Sequence, residues 1–178
     1  MKINIITLII IIIFLTPIYS NKTSLIESIK KGESTESIIN AINNGSNINE
    51  SDENGATPIM WAAYIGNIDI FKLLFEKGAK VHSTGCIYIK HPKYGETHYG
   101  NILTIAVGNK NMEMVEYIIN RIKMNVDEIE YNPETKSRDG WTALLWACTN
   151  ADLIISKYLV EHGANVNYQE KDKSNTPL

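Results

Sequence analysis

The sequence predicts an all-α fold, a solenoid of stacked helix–turn–helix units that carries one short β-hairpin insertion. Three observations predict it. The segment Gly55 to Val81 recurs at Gly140 to Val166, with Thr followed 21 residues later by Gly-Ala in both copies (Thr57 to Gly78, Thr142 to Gly163). Inside each copy the apolar residues follow a helical period, but Gly and Pro punctuate them too often for a continuous coiled coil. The 178 residues, 44% hydrophobic and 21% charged, have the balance of an ordinary globular chain rather than a disordered one.

The first twenty residues read differently from the rest. Lys2 precedes an apolar stretch from Ile5 to Leu15, then Pro17 and the small residue Ser20, which is the anatomy of a secretory leader. The apolar stretch is shorter than the ~20 residues of a spanning helix. Residues 1–20 are therefore expected to be a signal peptide, with the mature chain starting near Asn21 and a secreted or periplasmic destination. A membrane contact beyond that leader is not expected.

One unit explains the others. Thr57 stands at an N-cap position and Pro58 at the first helical position. Ile59, Trp61, Ala62 and Ala63 continue a short helix with small residues where a neighbour approaches, and Gly66-Asn67 ends it. Ile68, Phe71, Leu74 and Phe75 then give the period of a second helix, closed by Gly78 as a left-handed C′ residue. Two helices this short cannot bury their apolar faces alone, so the units must stack.

The string "TPIMWAA", then "GNIDIFKLLFEKGAKV", resembles the ankyrin repeat. The resemblance implies units of about 33 residues with β-turn fingers between them, and it covers residues 21–178: an N-terminal capping unit at 25–50, a unit at 51–82, units with loop insertions at 83–127 and 128–167, and an incomplete unit at 168–178. Thr176-Pro177-Leu178 repeats the opening of a unit, so the apolar face of the fourth unit (Leu144, Tyr158, Leu159) is expected to be left without its usual neighbour. The third unit departs from the pattern, with Asn101 in the Thr slot and Lys123-Met124 in place of Gly-Ala. The family's His after Thr-Pro-Leu is replaced by Met60, Thr104 and Leu145, so its hydrogen bond to the Thr hydroxyl should be lost. Unit openings lie 44 (Thr57 to Asn101), 41 (Asn101 to Thr142) and 34 residues apart (Thr142 to Thr176). The excess falls in 82–100 and 127–140, which lengthens the fingers. Within the first insertion, Ile87 and Ile89 alternate with Tyr88 and Lys90 before turn residues, the pattern of a hairpin.

Charge and motif content narrow the function. The formal net charge of −3, from 17 basic and 20 acidic residues, comes without a basic run, so no nucleic-acid partner is expected. No phosphate-binding loop, nucleophile elbow or His-Glu-x-x-His string occurs, so no catalytic residue, cofactor or metal is assigned. Cys86, His91 and His98 in the insertion match none of the common zinc spacings. Cys148 takes a small buried slot, and pairing with Cys86 would require the insertion to fold back on a buried helix. Trp61 and Trp146 align with a core position.

The resemblance implies a non-catalytic protein-binding module that works through its concave face and fingers. Tyr64 and Ile65 match groove-facing positions, and Trp141 precedes a cap at a position where family members commonly touch ligands. Arg138 and Asp139 stand beside it, while Tyr88 and Tyr94 lie in the insertion; exposed Trp, Tyr and Arg are the residue types of binding hot spots. The partner is expected to be a protein, and the chain a monomer unless another chain covers the open C-terminal end. The alternatives are a metal-binding or enzymatic accessory acting through 82–100, or a membrane-tethered structural protein.

Overall fold

The computed structural model describes residues 24–82, 85–91, 95–131, 140–169 and 177. Residues 1–23, which include the expected signal peptide, and Tyr94, Arg138, Asp139, Thr176 and Leu178 lie outside them. Four helix pairs follow one another: α1 (Leu25–Lys30) and α2 (Thr35–Asn43); α3 (Pro58–Ile65) and α4 (Ile68–Glu76); α5 (Ile102–Gly108) and α6 (Met112–Tyr117); α7 (Ala143–Thr149) and α8 (Leu153–Glu161). Between the second and third pairs, β1 (Ile87–His91) and β2 (Gly95–Tyr99) form an antiparallel hairpin in which Ile87 faces Tyr99 and His91 faces Gly95.

Local chemistry sets the helix starts. Side chains of Ser24, Ser34, Asn67, Asn101, Asn111, Thr142 and Asp152 each accept a first-turn amide, satisfying donors that a helix cannot satisfy itself. Thr57 differs from its reading as a cap: it occupies the position, but its buried hydroxyl makes no cap bond. In the third unit, Asn101 and Thr104 close a reciprocal capping box, so Thr104 takes up locally the bonding role that the missing His would have had.

The link between paired helices demands a left-handed residue. The first two links use Gly32 at φ 69° and Gly66 at 79°, and the same position in the next two units holds Lys110 at 55° and Ala151 at 51°. Only the two glycines announced themselves in the sequence. The end of the second helix asks the same of Gly78 and Gly163, and Lys123 supplies φ 62° in the third unit. The third unit has one residue more between its opening and this position (Asn101 to Lys123) than its neighbours (Thr57 to Gly78). The helix absorbs that residue as a π turn, Ile118–Ile122, directly after α6.

α1, α3, α5 and α7 pack side by side as one layer, backed by the second helices. Their carboxyl ends are aligned by cross-unit bonds: the Asn109 amide donates to the Tyr64 carbonyl, and the Lys110 ammonium lies 3.4 Å from the Asn150 carbonyl. One continuous core results, in which Leu25, Ile59, Phe71, Leu103, Ile105, Val115 and Trp146 are buried. Each such side chain contributes about 1.5–3 kcal/mol on burial. Phe71 and Phe75 both meet Tyr117 of the next unit edge-on, at 6.1 and 6.2 Å between centroids.

Candidate functional site

The fingers are tied to one another by short polar side chains. In three of them an Asn holds its own turn: Asn47, Asn125 and Asn165 each accept the amide two residues on. Neighbouring fingers then bond through the side chain of the residue two further on, Asn49 accepting from the Lys80 amide and Asp127 from the Asn165 amide, both at 2.8 Å. His82 and Glu128 meet at 3.1 Å. The fingers are thus held by one another as well as by the helix stack.

Of the sequence-predicted surface residues, the structure describes Tyr64, Ile65, Tyr88 and Trp141. They form two groups. Tyr64 and Ile65 end α3, whereas Trp141 sits two residues before the start of α7 and Tyr88 on β1, at the finger side. Because the inner helices run in parallel, the groups lie at opposite ends of the layer, about 12 Å apart along an eight-residue helix. Ile65 is 45% exposed and Tyr88 51% exposed. The positions equivalent to Ile65 in the next two units are Asn109 and Asn150, so stacking does not require an apolar side chain there. Trp141 is half-buried; its ring lies 4.7 Å from that of Trp146, so it packs as well as faces out.

The two aligned tryptophans part company. Trp146 is 1% exposed, as the core reading requires. Trp61 is only half-buried. Its indole N–H donates to Asp52 at 2.8 Å, the Lys30 ammonium stands 4.1 Å above its ring, and Tyr64 meets it edge-on at 5.6 Å. Asp52 also accepts the amides of Asn54 and Ala56. The string Asp52-Glu53-Asn54-Gly55 already carries that turn chemistry; the Lys30 contact spans thirty-one residues and has no local signal.

A second carboxylate was not legible at all. Glu130, near the start of the second insertion, is 2% exposed. Its carboxylate accepts the Gly100 amide at 3.0 Å, and its own amide donates to the Trp141 carbonyl at 3.1 Å. Burial raises its pKa to about 7, against the lowering effect of bonds from the Thr104 hydroxyl, the Gly100 amide, the Trp146 indole and the Trp141 amide. Burial also raises the Cys86 thiol. Cys86 and Cys148 are both free, and Cys148 lies 3.8 Å from the Ser156 hydroxyl. Among the described residues no cluster of three His, Cys, Asp or Glu could hold a metal; the side chains of His91 and His98 lie outside them.

Of the residues expected on the bare face of the fourth unit, Leu144 and Leu159 are 2% and 0% exposed and Tyr158 is half-buried. The exposed apolar residues are Leu153 (80%), Ile154 (73%) and Val160 (44%). Leu153 and Val160 line an open apolar groove of about 650 Å³ with Leu144, Cys148, Val166 and Pro177, so Leu144 borders the bare face as expected. No described helix is long and apolar enough to cross a membrane.

A stack of paired helices with left-handed links and bonded fingers defines a repeat scaffold. The family model for ankyrin repeats (three copies) matches residues 4–85 and 87–170, and the chain belongs to that family. The first match begins at residue 4, inside the segment that reads as a leader. Palmitoyltransferase AKR1 of Lachancea kluyveri is 27% identical over 125 residues, 68% of this chain and 14% of that protein. The ankyrin repeat protein L371 of Acanthamoeba polyphaga mimivirus is 29% identical over 131 residues, 74% of this chain and 15% of that protein. The chain thus spans a small part of the length of the curated relatives it matches.

Proposed function

We propose that this chain is a non-catalytic protein-binding module that holds a protein partner along its groove and fingers. Ile65 carries the reading: it is a half-exposed apolar side chain in the groove, at a position where stacking accepts Asn in the next two units. Tyr64, Trp61 and Lys30 adjoin it as a cluster of residue types that dominate hot spots. Tyr88 and Trp141 extend the surface to the fingers. Tyr94, Arg138 and Asp139 belong to the same proposal from sequence alone. Export through residues 1–20 is a further part of it, supported by Lys2, the apolar run Ile5 to Leu15, Pro17 and Ser20; mass spectrometry of the protein from its native host should show a chain starting near Asn21.

The test is capture from a displayed protein library with wild type, Ile65→Glu and Tyr88→Ala. Both substitutions are at exposed positions, so far-ultraviolet circular dichroism should be unchanged. Binders selected on the wild type should lose at least about tenfold in affinity for Ile65→Glu, since truncating or charging a hot spot costs more than about 1 kcal/mol. Binders indifferent to both substitutions would place recognition elsewhere.

A further inference from the structure

All four units end their inner helix in the same way. Gly32, Gly66, Lys110 and Ala151 each donate their amide to the carbonyl three residues back, and the residue after each donates to the carbonyl five back. The residue before each link therefore holds one equivalent place, and the row reads Lys31, Ile65, Asn109, Asn150. Lys110 follows Asn109 directly, and the Asn109 amide is bonded to the Tyr64 carbonyl beside Ile65. The exposed apolar Ile65 thus has an exposed lysine on either side, one from the preceding unit and one from the following unit.

Stacking does not require this charge. The helix dipole favours lysine at a carboxyl end, yet the second unit closes with Tyr64-Ile65-Gly66 and the fourth with Thr149-Asn150-Ala151. The nearby acids are occupied. Glu27 stands 3.9 Å from Lys30, whose ammonium also covers the Trp61 ring. Glu33 accepts the Ser37 hydroxyl at 2.6 Å; that bond leads the lowering of its pKa, and Lys31 comes last among the causes. Glu113 meets Lys72 at 3.0 Å, with Asp69 acting on the same ammonium, and Asp152 caps α8 through the Ile155 amide. In a chain of net charge −3, Lys31 and Lys110 leave a local excess of positive charge around one apolar side chain.

We infer, on the protein-binding reading proposed above, that the partner is an extended acidic segment. Its central apolar residue seats on Ile65 beside Tyr64 and Trp61, with one carboxylate toward Lys31 and another toward Lys110. Packed helices lie about 8–10 Å apart and an extended chain rises about 3.3 Å per residue. The carboxylates therefore belong about three residues to either side of the apolar one. The Lys110 ammonium gives one of its three protons to the Asn150 carbonyl at 3.4 Å and keeps two for the ligand.

The probe is a fluorescein-labelled peptide, Gly-Glu-Gly-Ser-Leu-Ser-Gly-Glu-Gly, titrated with the full chain and read by fluorescence anisotropy. Replacing both Glu by Gln should weaken binding about four- to 25-fold, since each exposed ion pair is worth about two- to fivefold. The double variant Lys31→Glu, Lys110→Glu should lose the acidic peptide at least about tenfold. It should instead bind the peptide with Lys in both Glu positions, a rescue that misfolding could not produce. Equal affinity of wild type for the Glu and Gln peptides, or no rescue in a folded double variant, overturns the acidic partner. If that binding is still lost in Ile65→Glu, only the charge is wrong and the protein-binding reading stands. No binding of the Glu peptide at about 1 mM also overturns the acidic partner, whereas library binders that depend on Ile65 would still uphold the module. Should the double variant not fold, the Glu and Gln peptides on wild type decide alone.

Discussion

Ala151→Gly should stabilise the protein. Ala151 is exposed and lies at φ 51°, in the position where the second unit has Gly66 at 79°. A left-handed conformation costs an L-residue about 1–2 kcal/mol. Glycine removes that cost but has more freedom to lose on folding, about 0.5–1 kcal/mol. The net gain is about 0.5–1 kcal/mol, or about 1–4 °C in Tm for a chain of this size. Lys110→Gly is a less clean test, because it also removes the ammonium's bond to the Asn150 carbonyl. The reciprocal substitution Gly66→Ala should cost a similar amount, for its Cβ would meet the Asn111 amide nitrogen at an ordinary 3.6 Å and add little besides backbone strain. Urea unfolding followed by circular dichroism reads all three. A loss of stability in Ala151→Gly, as glycine produces inside a helix, would refute the assignment of this link.

Other consequences follow from the same geometry. Glu130, with its folded pKa raised from 4.5 to about 7, contributes most below pH 4.5, and that contribution is lost as pH rises through 7. Urea titrations should show about 3 kcal/mol more loss between those limits in wild type than in Glu130→Gln. Gly85→Ala would place a Cβ 1.8 Å from the Gly55 carbonyl oxygen, backbone against backbone, and should destabilise by about 1–3 kcal/mol or more in the same assay. Trp141→Ala removes a ring packed 4.7 Å from Trp146 and should cost about 1–2 kcal/mol, whereas Tyr88→Ala should stay within about 0.5 kcal/mol. Thermal melts of the two variants side by side separate packing from surface.

The repeat was legible because it is written in short-range terms. Thr142 to Gly163 copies Thr57 to Gly78 residue for residue in spacing, and the alternation around Tyr88 announced the hairpin. The π turn was half visible: Lys123-Met124 in place of Gly-Ala marked the departure, but only the helix shows that the extra residue is absorbed at Ile118–Ile122. Left-handed Lys110 and Ala151 were hidden because they do not look like glycine. The site was less legible for a different reason. Glu130 binds Gly100 thirty residues earlier, and Lys30 covers Trp61 from another unit, contacts that no local pattern encodes. Aligning Trp61 with Trp146 suggested one role for both. The second unit, however, lacks a buried carboxylate and neighbouring Trp above its indole, so Trp61 stays half-exposed.

The measurement that tests the groove reading most directly is a hydrogen-exchange footprint of the full chain with a captured protein partner. Added protection should appear at residues 61–66, at 108–110 and along the fingers around 88 and 141. Protection confined to α4, α6 and α8, or none at all, would contradict a binding module that works through its concave face.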